Sequence, residues 1–357
     1  MLFPYQRVRN RMKGMHSFVA YIFARVWCRA PANDYSIALF HGLPSLYYVM
    51  NELYRDDLAG INKGAGAFFY RSVNEIFLEF KQLTPPEIKH YRNMFMNNNN
   101  IQELCEGKKN ATRYAEMPKD LLQAKIEAFC STLYSSGFFE LAAVKQQIGA
   151  NLRDHYKEFS KLNNMPCCPF CGLIPMDSEF DPTKEAYDHY LPSSKYPFNS
   201  VNLRNLAPAC YKCNSQNKGA KDPLLPENGI KTKAFYPYTS SKYPIQVSVK
   251  FKTPDQVPST LEDINIELTC AGHEEEIDTW DRLYKVRTRY AAKCLTSGRS
   301  FWLQRILDEK NNYPFISQDA LDRELQGCVD FPWHDANFLK SAFLAESLKI
   351  NLIRKHT

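Results

Sequence analysis

No stretch of this chain approaches the ~18 uninterrupted apolar residues that a membrane-crossing helix needs, so no membrane partner is expected. No segment repeats at a fixed period, which argues against a solenoid or propeller array. Charge of one sign is scarce as well. The 45 Lys and Arg against 39 Asp and Glu leave a formal net charge of +6 over 357 residues. That balance is compatible with a polyanionic partner and too weak to demonstrate one. Residues 35–160 carry no recognisable catalytic motif. What is there is an ordinary globular composition, 44% hydrophobic and 24% charged, in a chain long enough for two or three domains with substantial cores.

The N-terminus imitates a secretory signal: Arg7, Arg9, Arg11 and Lys13 precede an apolar run over residues 18–24, and Ala30-Pro31-Ala32 follows. Arg25 and Arg29 interrupt the apolar region, so an amphipathic first helix with a basic face is expected instead.

Four of the eleven cysteines stand apart by spacing. Cys168-Pro-Phe-Cys171 and Cys210-Tyr-Lys-Cys213 each suit a pair of thiolates on one tetrahedral Zn2+ at about 2.3 Å. Residues 172–209 between them outrun the roughly 15–20 residues of a simple zinc ribbon, so a folded insert held between two knuckles is expected. Cys167 adjoins the first pair, but spacing favours Cys168 and leaves Cys167 a bystander. Cys28, Cys105, Cys130, Cys270, Cys294 and Cys328 show no pattern and read as buried free thiols in a reducing, cytoplasmic compartment.

The insert contains Tyr187-Asp188-His189-Tyr190-Leu191-Pro192 and Asn205-Leu206, and Asn214 follows the second pair directly. A closed four-thiolate zinc has no open position and does no chemistry. Hydrolysis here needs a second, harder cation and a base. Asp188 and Asn214 offer oxygens suited to Mg2+ or Mn2+. His189 has the intrinsic pKa to take a proton from water near neutrality. Adjacent strand residues face opposite sides, so a bend near Asp188–His189, helped by Pro192, is required. The competing reading is a non-catalytic zinc module that binds nucleic acid or protein and needs only the four thiolates. A second Asp-His-Tyr triplet, Asp154-His155-Tyr156, lies in a helical run over 151–162 without a following cysteine pair, and reads as a solvated helix face.

This stretch resembles the HNH nucleases of the ββα-metal (His-Me finger) superfamily, in their four-cysteine, endonuclease VII-like and McrA-like branch. The resemblance rests on Cys168, Cys171, Asp188, His189, Asn205, Leu206, Cys210, Cys213, Asn214 and Lys218, and covers about residues 165–225. It implies a treble-clef ββα-metal core with a structural Zn2+ and a catalytic Mg2+ or Mn2+. It further implies that His189 is the general base, that Asp188 and Asn214 hold the catalytic ion, and that Asn205 fixes the loop that orients His189. Lys218, with Lys212 or Lys221, would contact phosphates. Asn217 is a rival for the last motif position. Several relatives carry a second histidine where this chain has Leu191, which leaves the catalytic ion one protein ligand fewer.

Outside the motif, residues 35–160 read as mostly helical. Leu46, Val49, Met50 and Leu53 share a helical spacing, as do Val73, Ile76, Phe77 and Phe80. Pro85-Pro86 opens a helix from about Glu87 that ends in the polar run 96–100. Pro118 opens another to about Ser135, with Leu121, Leu122, Ile126 and Phe129 on one side. The many Tyr and Phe rings here read as core, not base-stacking platforms. Residues 245–251 and 263–269 alternate as strands, with residues 253–259 as the connecting loop. Helices are expected at 275–295, 298–311 and 335–353. Together these give an α+β chain: a mainly helical N-terminal domain (1–160), a central HNH domain (161–230) and a smaller strand-plus-helix C-terminal domain (231–357). The expected function is metal-dependent hydrolysis of phosphodiester bonds, DNA ahead of RNA because most relatives cut DNA. The flanking domains would choose the target, self-associate as a homo-oligomer, or dock a regulatory protein such as an ATPase. Antiviral defence is the leading context, and a structure-selective or mobile-element nuclease the enzymatic alternative.

Overall fold

The computed structural model describes residues 1–135, 137–240, 242–253, 256–306, 308 and 317–349. Within them the chain is a mixed α+β protein with two short antiparallel hairpins. Eight α-helices come first: α1 (Lys13–Tyr21), α2 (Pro44–Leu58), α3 (Gly64–Lys81), α4 (Pro85–Asn98), α5 (Ile101–Cys105), α6 (Leu121–Ser135), α7 (Ala142–Ile148) and α8 (Leu152–Asn163). Strands β1 (Tyr187–His189) and β2 (Leu206–Pro208) form the first hairpin, and a π-helix over Lys212–Lys218 follows it. Strands β3 (Gln246–Phe251) and β4 (Ile264–Thr269) form the second. Helices α9 (Glu274–Tyr284), α10 (Val286–Lys293), α11 (Ser317–Asp330) and α12 (Asn337–Lys349) close the described chain, with a π-helical segment at Cys294–Leu303.

One core is built by α1 to α4, α6 and α7. Trp27 lies at its centre, fully enclosed, with its indole N–H donated to the Val73 carbonyl at 2.9 Å. The apolar sets at 46–53 and 73–80 are buried as their spacing requires. Residues 18–23 of the apolar run are packed into this core while Ala24, Arg25 and Arg29 stay exposed, so the first helix has the amphipathic character expected of it. Pro85 is the first residue of α4, and Thr84 and Glu87 form a capping box in which the Thr84 N–H meets Glu87 Oε2 at 2.7 Å. Helix α6 begins three residues after Pro118, at Leu121, and that leucine is 61% exposed rather than on the buried side with Leu122, Ile126 and Phe129.

A second core joins the four-cysteine region to β3–β4, α9, α10 and α12, and takes in residues 1–5 and 101–105 as well. Tyr5 donates its hydroxyl to the Pro208 carbonyl at 2.7 Å, and its own amide reaches the Pro237 carbonyl at 2.7 Å. The expected boundary at 230/231 therefore does not divide one core from another. Strand β4 alternates buried and exposed residues, as its sequence indicates.

Two further expectations fail here. The helix expected over 275–295 is broken at Lys285, whose φ of +52° is left-handed. Asp281 explains the break, since its carboxylate accepts the Arg287 amide at 2.8 Å and starts the next helix. Nor is the Asp154-His155-Tyr156 triplet a solvated face. His155 and Tyr156 are buried, and His155 Nδ1 meets the Tyr187 hydroxyl at 2.6 Å, pinning α8 beneath β1. The ends of the helices expected over 298–311 and 335–353 lie partly outside the described residues, as does part of the 253–259 loop.

Candidate metal centre and hydrolytic site

The sulfur atoms of Cys168, Cys171, Cys210 and Cys213 all lie within 4.8 Å of one another, and all four residues are buried. Tetrahedral zinc with bonds of about 2.3 Å needs sulfurs about 3.8 Å apart, and Cys171 and Cys210 stand at 4.0 Å. The donor set therefore fits a structural Zn2+. Cys167 is buried outside this cluster. Each pair forms a tight turn: Cys171 N–H reaches the Cys168 carbonyl at 3.1 Å, and Cys213 N–H reaches the Cys210 carbonyl at 2.9 Å. Gly172 closes the first turn at φ +66°, where a Cβ would stand 2.6 Å from Phe338. Burial pushes the Cys168 thiol up, while hydrogen bonds from the neighbouring thiols pull Cys171 down.

The C-terminal helices clasp this cluster. Trp280 Nε1 donates to the Phe170 carbonyl at 2.9 Å, and the Tyr290 hydroxyl to the Cys171 carbonyl at 2.9 Å. Arg289 Nη1 lies 3.2 Å from Cys213 Sγ. Burial opposes the charge on Arg289, yet the thiols of Cys213 and Cys171 hold its proton more firmly than usual. Arg289 carried no signal in the sequence, because its partner is 76 residues away.

Hairpin β1–β2 pairs Asp188 with Ala207 and His189 with Leu206, and the chain bends directly after His189. Asn205 is fully buried and clamps that bend: its Oδ1 accepts the Leu191 N–H at 2.8 Å and its Nδ2 donates to the Leu191 carbonyl at 2.9 Å. His189 Nε2 lies 2.8 Å from the Ser200 carbonyl. A carbonyl can only accept, so Nε2 carries the proton and the neutral ring keeps its lone pair on Nδ1. Burial holds the imidazole down to about 4, and the edge of Tyr134 meets it at 4.4 Å between ring centroids.

The loop that supplies Ser200 is fastened to the helical core. Phe198 N–H points at Cys130 Sγ (3.4 Å), Asn98 Nδ2 donates to the Pro197 carbonyl (3.3 Å), and Asn202 Nδ2 to Asn99 Oδ1 (3.0 Å). Phe198 holds φ +73°, a strained conformation for a bulky residue, while its ring packs against Phe23 at 5.0 Å. The helical half thus positions the His189 loop, a role that no local motif announced.

Asp188 is buried, and burial raises its carboxyl above the usual range while Lys218 pulls it back. Its Oδ1 accepts from Lys218 Nζ at 2.8 Å, and its Oδ2 is enclosed with no partner. An orphaned carboxylate oxygen is what a hard cation would use, so this residue fits one. Asn214 is half-buried at the start of the helix that sends Lys218 to Asp188, and Asn217 turns its amide onto the Lys212 carbonyl at 2.5 Å within that helix. Lys218, expected at a phosphate, is instead enclosed; Lys212 and Lys221 are exposed. Asn199 and the Ser200 hydroxyl add further buried polar atoms without partners in the same loop. The chain matches no family model, and no curated protein and no solved structure is significantly similar to it.

Proposed function

We propose that this chain is a metal-dependent HNH-type endonuclease acting on nucleic acid, DNA before RNA. The observation that carries the reading is the placement of Asp188–His189 on the first strand of a hairpin whose second strand runs into the Cys210–Cys213 turn and Asn214, with Asn205 clamping the intervening bend. His189 takes a proton from water through Nδ1, since Nε2–H is committed to Ser200. Asp188 Oδ2 and the Asn214 amide would hold a divalent ion. Such an ion, when bound, supplies charge stabilisation to the phosphoryl transition state and the departing oxygen. Exposed Lys212 and Lys221 suit phosphate contacts that position a strand without reading its sequence. The zinc cluster contributes folding and no chemistry.

A second reading, a zinc-stapled adaptor without catalysis, draws on one observation: Lys218 already neutralises Asp188. The two separate in an assay of Asp188→Asn and His189→Ala beside wild type, on duplex DNA, single strands and RNA. Loss of cleavage in both variants with zinc content unchanged supports the enzyme. Binding without cleavage by all three proteins supports the adaptor.

A further inference from the structure

Lys218 is the least expected residue of the site. Its side chain is 0% exposed and that of Asp188 is 3%; an enclosed lysine is uncommon unless paired. Its ammonium has three hydrogens and faces three oxygens: Asp188 Oδ1 at 2.8 Å, the His189 carbonyl at 2.8 Å and the Gly219 carbonyl at 3.4 Å. One carboxylate and two carbonyls form an oxygen cage of the kind that hard cations select. Here a lysine fills it.

The backbone accounts for this placement. Over Lys212–Lys218 the chain is π-helical, and Gly219 N–H reaches the Asn214 carbonyl at 2.7 Å, five residues back. Five-residue bonding stacks residues five apart, so Cys213 and Lys218 share the inward face, and both are buried. In an α-helix of 3.6 residues per turn they would diverge. Directly after Lys218 comes Gly219 at φ +50° and ψ −129°, a conformation that glycine alone adopts readily. The π-turn and the glycine together give Lys218 a route out: relaxation to four-residue bonding rotates it off the inward face.

A divalent ion on Asp188 Oδ2 and an ammonium on Oδ1 would repel at close range in a site with little water to screen them. We propose, resting on the hydrolase reading, that Lys218 is a built-in counter-cation that occupies Asp188 in the ion-free protein and must leave when a divalent ion binds. Ion loading is then a displacement, and the Lys212–Gly219 segment is the element that moves.

The test uses the zinc-loaded, full-length chain and Mn2+ as probe, followed by electron paramagnetic resonance. Lys218→Met is expected to bind Mn2+ at least ~10-fold more tightly than wild type, and the Asp188→Asn, Lys218→Met double variant to lose that site. In wild type, Lys218 is expected to resist an amine-acylating reagent without Mn2+ and to be labelled at saturating Mn2+, read by mass spectrometry. The labelling needs no variant, so it decides the matter even where Lys218→Met fails to fold. Lys218 unlabelled at saturating Mn2+ overturns the displacement and leaves the hydrolase reading standing. If neither wild type nor folded Lys218→Met binds Mn2+, both readings fall.

Discussion

Replacing Asn205 with alanine removes two hydrogen bonds that hold the main chain of Leu191 from both sides. Both bonds are buried, so the truncation leaves the Leu191 N–H and C=O without these partners. Each buried group left unsatisfied costs about 1–3 kcal/mol, so the pair predicts a local loss of about 2–6 kcal/mol. At 1.4 kcal/mol per decade, even the lower half of that range predicts that the Leu191 amide exchanges with deuterium ~30-fold or more faster than in wild type. Asn205→Asp is the informative partner. It keeps the acceptor for Leu191 N–H but sets an oxygen against the Leu191 carbonyl, so stability falls while the Leu191 amide keeps more of its protection than in Asn205→Ala. Hydrogen exchange by mass spectrometry or NMR, beside urea denaturation, reads both effects. Unchanged protection at Leu191 together with a stability change under about 0.5 kcal/mol in Asn205→Ala would refute the clamp.

Arg289→Leu removes the guanidinium from Cys213 Sγ and is expected to weaken zinc retention by about 10–100-fold against a competing chelator, as loss of a ligand's supporting partner generally does. Burial holds His16, His155 and His189 down to about 4, against an ordinary 6.5. Below pH 6.5 the unfolded chain takes up these protons and the folded one does not. The stability they carry is complete above about pH 6.5 and drains away towards about pH 4, by up to about 3 kcal/mol each. Melting temperatures from pH 7.5 to 4.5 should therefore fall, and less steeply in a His155→Gln variant; equal slopes would contradict the assignment. Tyr134→Ala opens the face of His189 that the tyrosine ring covers, and the imidazole is expected to react faster with diethyl pyrocarbonate, whereas Tyr134→Phe keeps the wild-type rate.

The parts of the fold that rest on local spacing were legible in advance. Paired cysteines two residues apart announce a thiolate cluster because ligand geometry is set within one turn of chain, and the cluster takes Cys168 over Cys167, as spacing favoured. Residues 245–251 and 263–269 alternate with the strand period and pair with Val249 opposite Ile266. Where long-range contacts decide, the sequence was silent. The Asp154-His155-Tyr156 triplet looks polar enough for solvent, yet His155 is covered by a strand residue 32 positions on. Lys285 breaks a helix through Asp281, which any helical pattern would have absorbed without a mark. Lys218 has the composition of a surface cation, and only the five-residue turn of its helix brings it inward. The loop that carries Ser200 to His189 is tied to helices a hundred residues earlier, so the first half of the chain enters the site through backbone positioning rather than through any motif.

The central claim is hydrolysis by His189 beside a cation on Asp188, and cleavage of supercoiled plasmid tests it most directly. Wild type and His189→Ala are incubated with Mg2+, Mn2+ or a chelator specific for those ions, with bound zinc quantified in each. Nicked or linear plasmid is expected from wild type, none when the divalent ion is withheld, and none from His189→Ala with its zinc unchanged. Equal cleavage by both proteins would remove His189 from the chemistry and contradict the account.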